Sequence, residues 1–174
     1  MKRVAVIGIG NAAFGDAGVG SYIIEALDQE EWPAHIELVD IGPCIHQLEL
    51  YLYERDYALL VQGISRGYRW GHIYQLSGEE LRPMYREACC CWNRPVMERL
   101  HLAEYLGVMP PEITFVGIEP RMTCFHLGLS KEVRLAIRKA VRVVKANLVQ
   151  RGFLPASQVI PLVRYRLGLL QITI

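Results

Sequence analysis

The sequence has 174 residues, of which 52% are hydrophobic and 21% charged, and its formal net charge is +1. A disordered chain would combine much lower apolar content with a large charge imbalance, and a low-complexity chain would show a repeat. The apolar runs fall short of the roughly 18 residues that suggest a membrane span, and a secretory signal pattern is lacking. We therefore predict one globular domain over residues 1–174, without a membrane span.

The cysteines favour a reducing compartment. Cys89, Cys90 and Cys91 are consecutive, and Cys44 and Cys124 bring the number to five. An odd number with three direct neighbours does not fit the spaced disulfide framework of a small secreted protein. We expect the protein to act in the cytoplasm.

The first half of the chain alternates strands and helices. A β-branched apolar run over residues 2–8 predicts a buried strand, and after a glycine-rich turn the apolar spacing predicts a helix over Val19–Leu27. Residues 35–40 predict a second strand, 43–54 a second helix and 57–64 a third strand. Short connections between such elements are typical of a parallel sheet that is covered on both faces.

The second half continues this pattern less regularly. Residues 71–76 follow the third strand after a short turn and predict an edge strand, whereas 79–92 support no assignment. Residues 95–106 predict a helix and 112–117 a buried strand. The clearest helix spans 130–150, since it opens at an N-cap serine, repeats apolar residues along one side and is followed by a glycine. The predicted fold class is α/β, a single-domain three-layer sandwich with a twisted, mostly parallel sheet and helices on both faces.

The turn after the first strand is rich in glycine. Gly8-Ile-Gly10-Asn-Ala-Ala13 formally fits the G-x-G-x-x-A fingerprint of dinucleotide-binding proteins, and Asp40 ends the second strand where a ribose-binding acid would sit. The fingerprint requires a helix directly at the glycines, whereas residues 14–20 extend the loop. We favour the alternative that the glycines allow a sharp turn and that Asp16 caps the first helix. A dinucleotide-binding enzyme remains an alternative function.

Four segments, taken in order, resemble one protein family. They are GIGNAAFGDAGVG after the first strand, DIGPC after the second, ALLVQGI as the third strand, and FVGIEPRMTCFHLGLS before the last helix. Together they resemble the hydrogenase maturation endopeptidases, which process the large subunit of nickel-iron hydrogenases. The resemblance extends over most of the chain. It implies a phosphorylase/hydrolase-like sandwich, in agreement with the fold predicted from the residues, and a hydrogenase large subunit as partner; with the ligand positions changed, another protein is the alternative partner.

The resemblance also identifies where the family binds nickel, which is delivered with the immature hydrogenase. The family uses an acid after the first aspartate of the glycine loop, an aspartate at the end of the third strand, and a histidine in the helix before the last strand. Here Asp16 retains the first aspartate, but the three ligand positions fall on Ala17, on Gln62 and at or near Glu98. Alanine offers no donor atom, and the neutral carbonyl of glutamine binds nickel poorly. We therefore expect neither a nickel site nor another cofactor.

Other residues could substitute for the missing ligands. Glu98-Arg-Leu-His101 has the Glu-x-x-His spacing that places both side chains on one helix face, and Asp16 is expected at the same cleft. We favour the absence of a rebuilt site, because an isolated pair with this spacing is common on solvated helices. For Cys89 to Cys91 we likewise favour small buried residues over a soft-metal site. The catalytic residues stay unassigned, since no nucleophile elbow, His-Glu-x-x-His or phosphate-binding motif is present.

Charge and hydrophobicity are unevenly distributed near the end of the chain. The last helix and the residue after it hold only one acid, Glu132, against a set of basic residues, Lys131, Arg134, Arg138, Lys139, Arg142, Lys145 and Arg151. A solvated face is favoured over a nucleic-acid site, because no aromatic or nucleic-acid motif accompanies these charges. Residues 155–174 form an apolar tail that we expect to be covered by its own domain or by a partner, including a second copy.

The sequence supports two versions of one functional hypothesis. In the favoured version, a hydrogenase maturation protease-like protein binds a nickel-iron hydrogenase large subunit during maturation and has lost the nickel-dependent C-terminal cleavage, as an assembly factor or pseudo-protease. In the alternative, it is an active endopeptidase that cleaves the C-terminal extension. The ligand substitutions at Ala17, Gln62 and Glu98 favour the first version.

Overall fold

The computed structural model describes residues 2–86 and 94–159. Within these ranges five strands form one sheet: β1 (Val4–Ile9), β2 (Ile36–Gly42), β3 (Tyr57–Gly63), β4 (Ile73–Ser77) and β5 (Glu112–Ile118). Their order across the sheet is β2-β1-β3-β5-β4, and all neighbours are parallel except β4, which is antiparallel to β5. The predicted mostly parallel sheet is confirmed.

Helices cover both faces of this sheet. They are α1 (Val19–Leu27), α2 (Leu48–Leu52), α3 (Gly78–Arg86), α4 (Arg94–Tyr105) and α5 (Lys131–Gln150). One apolar core lies between the sheet and α1 with α5, and a second lies between the sheet and α2, α3 and α4. The three-layer sandwich is therefore confirmed. In the part of the chain that the structure describes, no helix is long and apolar enough to cross a membrane.

The residues of the central strand β1 contribute alternately to the two apolar cores. Val4 and Val6 contribute to the core under α1 and α5, whereas Ala5, Ile7 and Ile9 contribute to the opposite one. All six residues of the strand are buried. A strand covered on both faces has no solvated side, so it reads as a continuous apolar run instead of an alternating pattern.

Two glycines allow α1 to pack directly on the sheet backbone. A Cβ atom on Gly20 would lie 2.7 Å from the carbonyl oxygen of Val61 and still closer to that of Ile9. A Cβ on Gly8 would lie 2.7 Å from the carbonyl oxygen of Gly20. Side chains at either position would push α1 away from β1 and β3.

The last helix has the ends that the sequence predicts. The Ser130 hydroxyl accepts a hydrogen bond from the backbone N–H of Val133 at 3.4 Å. At the other end Gly152 has a left-handed φ of 73°, and its N–H donates to the carbonyl of Val149 at 2.9 Å. The serine cap and the terminal glycine are thus confirmed.

Three elements differ from the prediction. The helix expected over 43–54 is shorter. A 3₁₀ turn at Ile45–Gln47 is followed by α2, which ends at Leu52 because Tyr53 leaves the helical region with a ψ of 132°. The edge strand is present, but β5 separates it from β3. Of the unassigned stretch, residues 79–86 belong to α3, which contains Pro83, and the rest lies outside the described residues. The predictions for Cys89 to Cys91 and for most of the apolar tail lie outside the described residues.

The close approach of α1 predicts that Gly20→Ala destabilises the fold. The added methyl would collide with the backbone of β1 and β3, which cannot rotate away as a side chain could, so we expect a loss of about 3 kcal/mol or more in the free energy of unfolding. Urea denaturation followed by circular dichroism measures this loss.

Gly78→Ala is the matched control, because this glycine also lies in the first turn of a helix. Its added Cβ would lie 3.1 Å from the Cγ2 atom of Ile113 and 3.5 Å from the backbone, without the backbone collisions predicted at Gly20. We expect a change within about 1 kcal/mol. Equal stability of the two variants would contradict the packing described for α1.

Candidate functional site

Two of the candidate positions meet at the carboxyl ends of β1 and β3. In the sheet β2 lies on one side of β1 and β3 on the other, so the strand order reverses direction between β1 and β3. Open α/β sheets typically bind ligands at the carboxyl ends of the strands at such a switch point. Here the loop after β1 folds over this point, since a Cβ on Gly63 would lie 2.5 Å from the carbonyl oxygen of Asp16. The structure thus brings Ala17 and Gln62 to the same edge of the sheet.

The carboxylate of Asp16 is fully buried and receives three backbone hydrogen bonds. Its Oδ2 accepts from the N–H groups of Arg121 at 2.9 Å and Met122 at 3.0 Å, and its Oδ1 accepts from Ser130 at 2.7 Å. All three donors lie between β5 and α5, so the side chain ties this loop to the glycine loop. The prediction that Asp16 caps α1 is wrong, because the N-cap is Gly18 and no side chain caps it.

Backbone hydrogen bonds reinforce the same junction. The N–H of Gly15 donates to the carbonyl of His126 at 2.9 Å, and the N–H of His126 donates to that of Ala13 at 3.0 Å. Phe14 and His126 form a parallel bridge. The loop after β1 and the loop after β5 therefore form one connected layer above the sheet.

The side chains at the first two nickel positions, Ala17 and Gln62, are uncharged. Ala17 is half-buried and ends in a methyl group. Gln62 is the penultimate residue of β3, paired with Ile9 and Gly117 on the neighbouring strands, and its side chain is a neutral amide. Neither residue offers the imidazole or carboxylate donor that would hold nickel.

Glu98 and His101 lie on α4, in a groove beside α3. The groove has a volume of about 330 Å³ and is lined by Tyr85, Arg94, Met97, Glu98, His101, Leu102 and Tyr105. Glu98 is paired with Arg94, whose Nε lies 2.7 Å from Oε1. His101 Nδ1 lies 3.0 Å from the carbonyl oxygen of Tyr85, and since a carbonyl only accepts, this nitrogen carries the hydrogen. Ala17 and Gln62 do not line this groove.

These residues do not fit a nickel ion. Asp16 is occupied by backbone donors, Ala17 and Gln62 offer no charged side-chain donor, and Glu98 is paired with Arg94 in a separate groove. Across residues 2–86 and 94–159, no group of three His, Cys, Asp or Glu side chains is placed to hold a metal. Cys44 and Cys124 are free thiols in these ranges and belong to no such group.

The glycine loop also lacks the geometry of a dinucleotide site. A 3₁₀ turn over Gly15–Gly18 separates the glycines from α1, so the helix N-terminus does not begin at the motif. A Cβ on Gly18 would collide with the backbone of Ala12, which shows that the loop packs against itself. Asp40 accepts hydrogen bonds from Ser21 Oγ and from the N–H of Gly42, both at 2.9 Å. The glycines serve the turn, as the favoured interpretation of the sequence proposed.

Comparison with known proteins identifies the family. The family model described as hydrogenase maturation protease matches residues 21–147, most of the chain. The chain belongs to the hydrogenase maturation protease family. The resemblance seen in the four sequence segments is thereby confirmed.

Individual relatives of this family member match over nearly their whole length. The hydrogenase 2 maturation protease of Escherichia coli is 28% identical over 86% of this chain and 93% of its own. A putative hydrogenase maturation protease of Methanocaldococcus jannaschii is 26% identical over 84% and 97%. The solved structure of the hydrogenase maturating endopeptidase HybD from E. coli superposes with a TM-score of 0.77 and 27% identity, covering 86% of this chain and 94% of that one.

Glu119, directly after β5 in this hydrogenase maturation protease family member, is a site residue that the sequence did not predict. Its side chain is buried and accepts hydrogen bonds from the N–H groups of Arg66 and Gly67 and from the hydroxyl of Ser65. These donors lie between β3 and β4, so Glu119 fixes that loop as Asp16 fixes the glycine loop. The signal in the sequence is an acid that follows a buried strand without interruption, next to Pro120.

The bonding of Asp16 predicts that Asp16→Asn is strongly destabilising. The amide nitrogen would face backbone N–H groups that need an acceptor, and leaving such groups unpaired costs about 2 to 3 kcal/mol. Asp28→Asn, at an exposed position just after α1, is the control, with an expected change within about 0.5 kcal/mol. Thermal and urea unfolding of both variants measure the difference. An Asp16→Asn variant as stable as the unaltered protein would show that the carboxylate does not hold the two loops together.

Proposed function

We propose that this hydrogenase maturation protease family member binds a nickel-iron hydrogenase large subunit during maturation without cleaving its C-terminal extension in a nickel-dependent step. The family membership and the relatives named as hydrogenase maturation proteases support maturation as the process. The shared fold supports retention of a docking surface. Its action in the cytoplasm stays a prediction from the cysteine pattern.

The substituted ligand positions are the observation that carries this proposal. Ala17 has no donor atom, Gln62 is neutral, and Glu98 is paired with Arg94 in a groove beside α3. His101, the candidate substitute, lies in this groove, and within the described residues no two further His, Cys, Asp or Glu side chains are placed with it to hold a metal. A cleavage that needs nickel to position the precursor would lack its ligands here.

The alternative is an active endopeptidase. It is favoured by relatives that are named as proteases or endopeptidases and that match over more than nine-tenths of their own length. This version requires that residues other than those at the family positions bind nickel, or that cleavage proceeds without it. Metal binding and cleavage can be measured separately, so the two versions give different results.

Nickel titration is the first test. We expect tag-free protein to show no submicromolar Ni²⁺ binding by isothermal titration calorimetry, and we expect His101→Ala to leave the titration unchanged. A histidine-rich peptide titrated in the same buffer controls for detection. Submicromolar binding that disappears in His101→Ala would establish a rebuilt site at α4 and contradict the proposal.

Incubation with a nickel-loaded large-subunit precursor is the second test. Intact-mass spectrometry should show that the precursor keeps its C-terminal extension while pull-down shows that it binds the protein. The E. coli hydrogenase 2 maturation protease incubated with its own precursor controls for cleavage conditions. Loss of a C-terminal peptide in the presence of this protein would establish the active endopeptidase instead.

A further inference from the structure

Large apolar side chains are exposed together at one edge of the sheet. Of the ten that are exposed among the described residues, five lie in the loops after β1, β3 and β5. Phe125 and Leu127 are 76% and 78% exposed. We define the apical face by these five residues and one neighbouring cation: Phe14, Tyr68, Trp70, Phe125, Leu127 and Arg69. Exposed apolar groups that cluster in this way are typical of protein contact sites.

The first part of the apical face is held rigidly. Phe14 and Phe125 contact each other edge to face, with ring centroids 6.2 Å apart. The backbone beneath them is fixed by the bonds of Gly15 and His126 and by the buried carboxylate of Asp16. Aromatic groups held in place before binding lose little conformational entropy when a partner arrives.

The second part is fixed by Glu119 and joined to the first by Arg121. The carboxylate of Glu119 accepts hydrogen bonds from the backbone N–H groups of Arg66 and Gly67, and these bonds fix the loop that contains Tyr68 and Trp70. The guanidinium of Arg121, in the loop after β5, lies 4.9 Å from the centroid of the Trp70 ring. The three loops therefore present one continuous surface.

The exposed, unpaired charges at this surface are positive, because its acids are buried or paired within the protein. The carboxylates of Asp16 and Glu119 are buried and bonded to backbone N–H groups. Glu132 pairs with Arg121 at 2.8 Å. By contrast, Arg69 and also Lys131, which adjoins the apical face at the start of α5, are exposed and form no ion pair within the described residues. An occupant that complements this face has apolar side chains next to carboxylates.

We infer that the apical face binds a segment of the large subunit in which apolar side chains alternate with acidic ones. This inference rests on the proposed function and names the surface and the partner chemistry that it would use. The apolar side chains of the segment cover Trp70, Phe125 and Leu127, and its carboxylates pair with Arg69 and Lys131. The face lies beside the edge at which Ala17 and Gln62 lie, so docking does not depend on a metal there.

A single-stranded nucleic acid is the competing occupant, because aromatic rings and arginines also stack on bases. Two observations favour a protein segment. Arg121 is already committed to Glu132 and Trp70, and Arg66 lies over the rings of Tyr68 and Tyr74. Few cations then remain for phosphates, whereas nucleic-acid binding draws most of its affinity from several such contacts.

Binding of the full-length protein to the purified large-subunit precursor, measured by biolayer interferometry, tests this inference. We expect the double variant Trp70→Ala/Phe125→Ala to weaken binding by at least about tenfold. We expect Arg69→Glu to weaken it as well, and more at low salt than at high salt. All altered side chains are exposed, and circular dichroism checks that each variant is folded.

Matched controls come from exposed residues on other faces. Leu50→Ala/Leu135→Ala removes apolar side chains that are 73% and 71% exposed, on α2 and α5. Arg142→Glu reverses an exposed charge on α5 and makes the same change in net charge as Arg69→Glu. Both controls should bind like the unaltered protein.

The possible results separate the inference from the proposed function. If the unaltered protein binds the precursor and Trp70→Ala/Phe125→Ala binds it equally well, the inference is wrong and the proposed function stands. If the unaltered protein does not bind the precursor at all, both are wrong. Tight binding of a fluorescein-labelled oligouridine of about 20 nucleotides, lost in the double variant, would assign the face to nucleic acid instead.

Discussion

The buried carboxylate of Asp16 is the interaction on which the functional edge of this protein depends. A charge removed from water is costly unless hydrogen bonds compensate for it, and here three backbone N–H groups do so. The donors lie more than 100 residues away along the chain. One side chain thus determines how the loop after β5 lies against the loop after β1. The path from β5 into α5 follows from it, because Ser130, one of the three donors, is also the N-cap of α5.

The same hydrogen bonds indicate that Asp16 has a structural role at this edge and is not a metal ligand. A carboxylate whose oxygens receive three N–H groups stabilises a loop, and moving it to a metal would leave those donors unpaired. The protein keeps the aspartate that shapes the glycine loop, while Ala17 and Gln62 offer neither the imidazole nor the carboxylate that nickel prefers. Retention of the first residue and replacement of the others is the expected result if the fold and its docking surface are kept without the nickel-dependent cleavage.

Elements governed by local patterns could be predicted from the sequence. The helix α5 has a serine cap, a terminal glycine and one apolar side, and the strand β1 is a continuous apolar run, so both were predictable. The helix α3 was not, because Pro83 interrupts the helical pattern of residues. The end of α2 was not predicted either, because Tyr53 leaves the helical region and Glu54 after it adopts a left-handed φ, which is unusual for a residue other than glycine.

Contacts between residues that are distant along the chain could not be predicted from the sequence. The pattern predicts β4 as an edge strand, but its place beside β5 depends on a partner that follows some 40 residues later, as shown by Ile73 paired with Ile118. In the same way the position of Asp16 in a glycine loop suggests a helix cap, since a local donor is the simplest one to expect. Its actual donors, and those of Glu119, become visible only when the loops are brought together in space.

Amide hydrogen exchange, read at Arg121, Met122 and Ser130, tests the central claim that Asp16 is a structural acceptor and not a metal ligand. The account predicts slow exchange at these three amides in the metal-free protein, with rates that stay the same when Ni²⁺ is added. Fast exchange without metal, or a change in protection at these amides when Ni²⁺ is added, would contradict it.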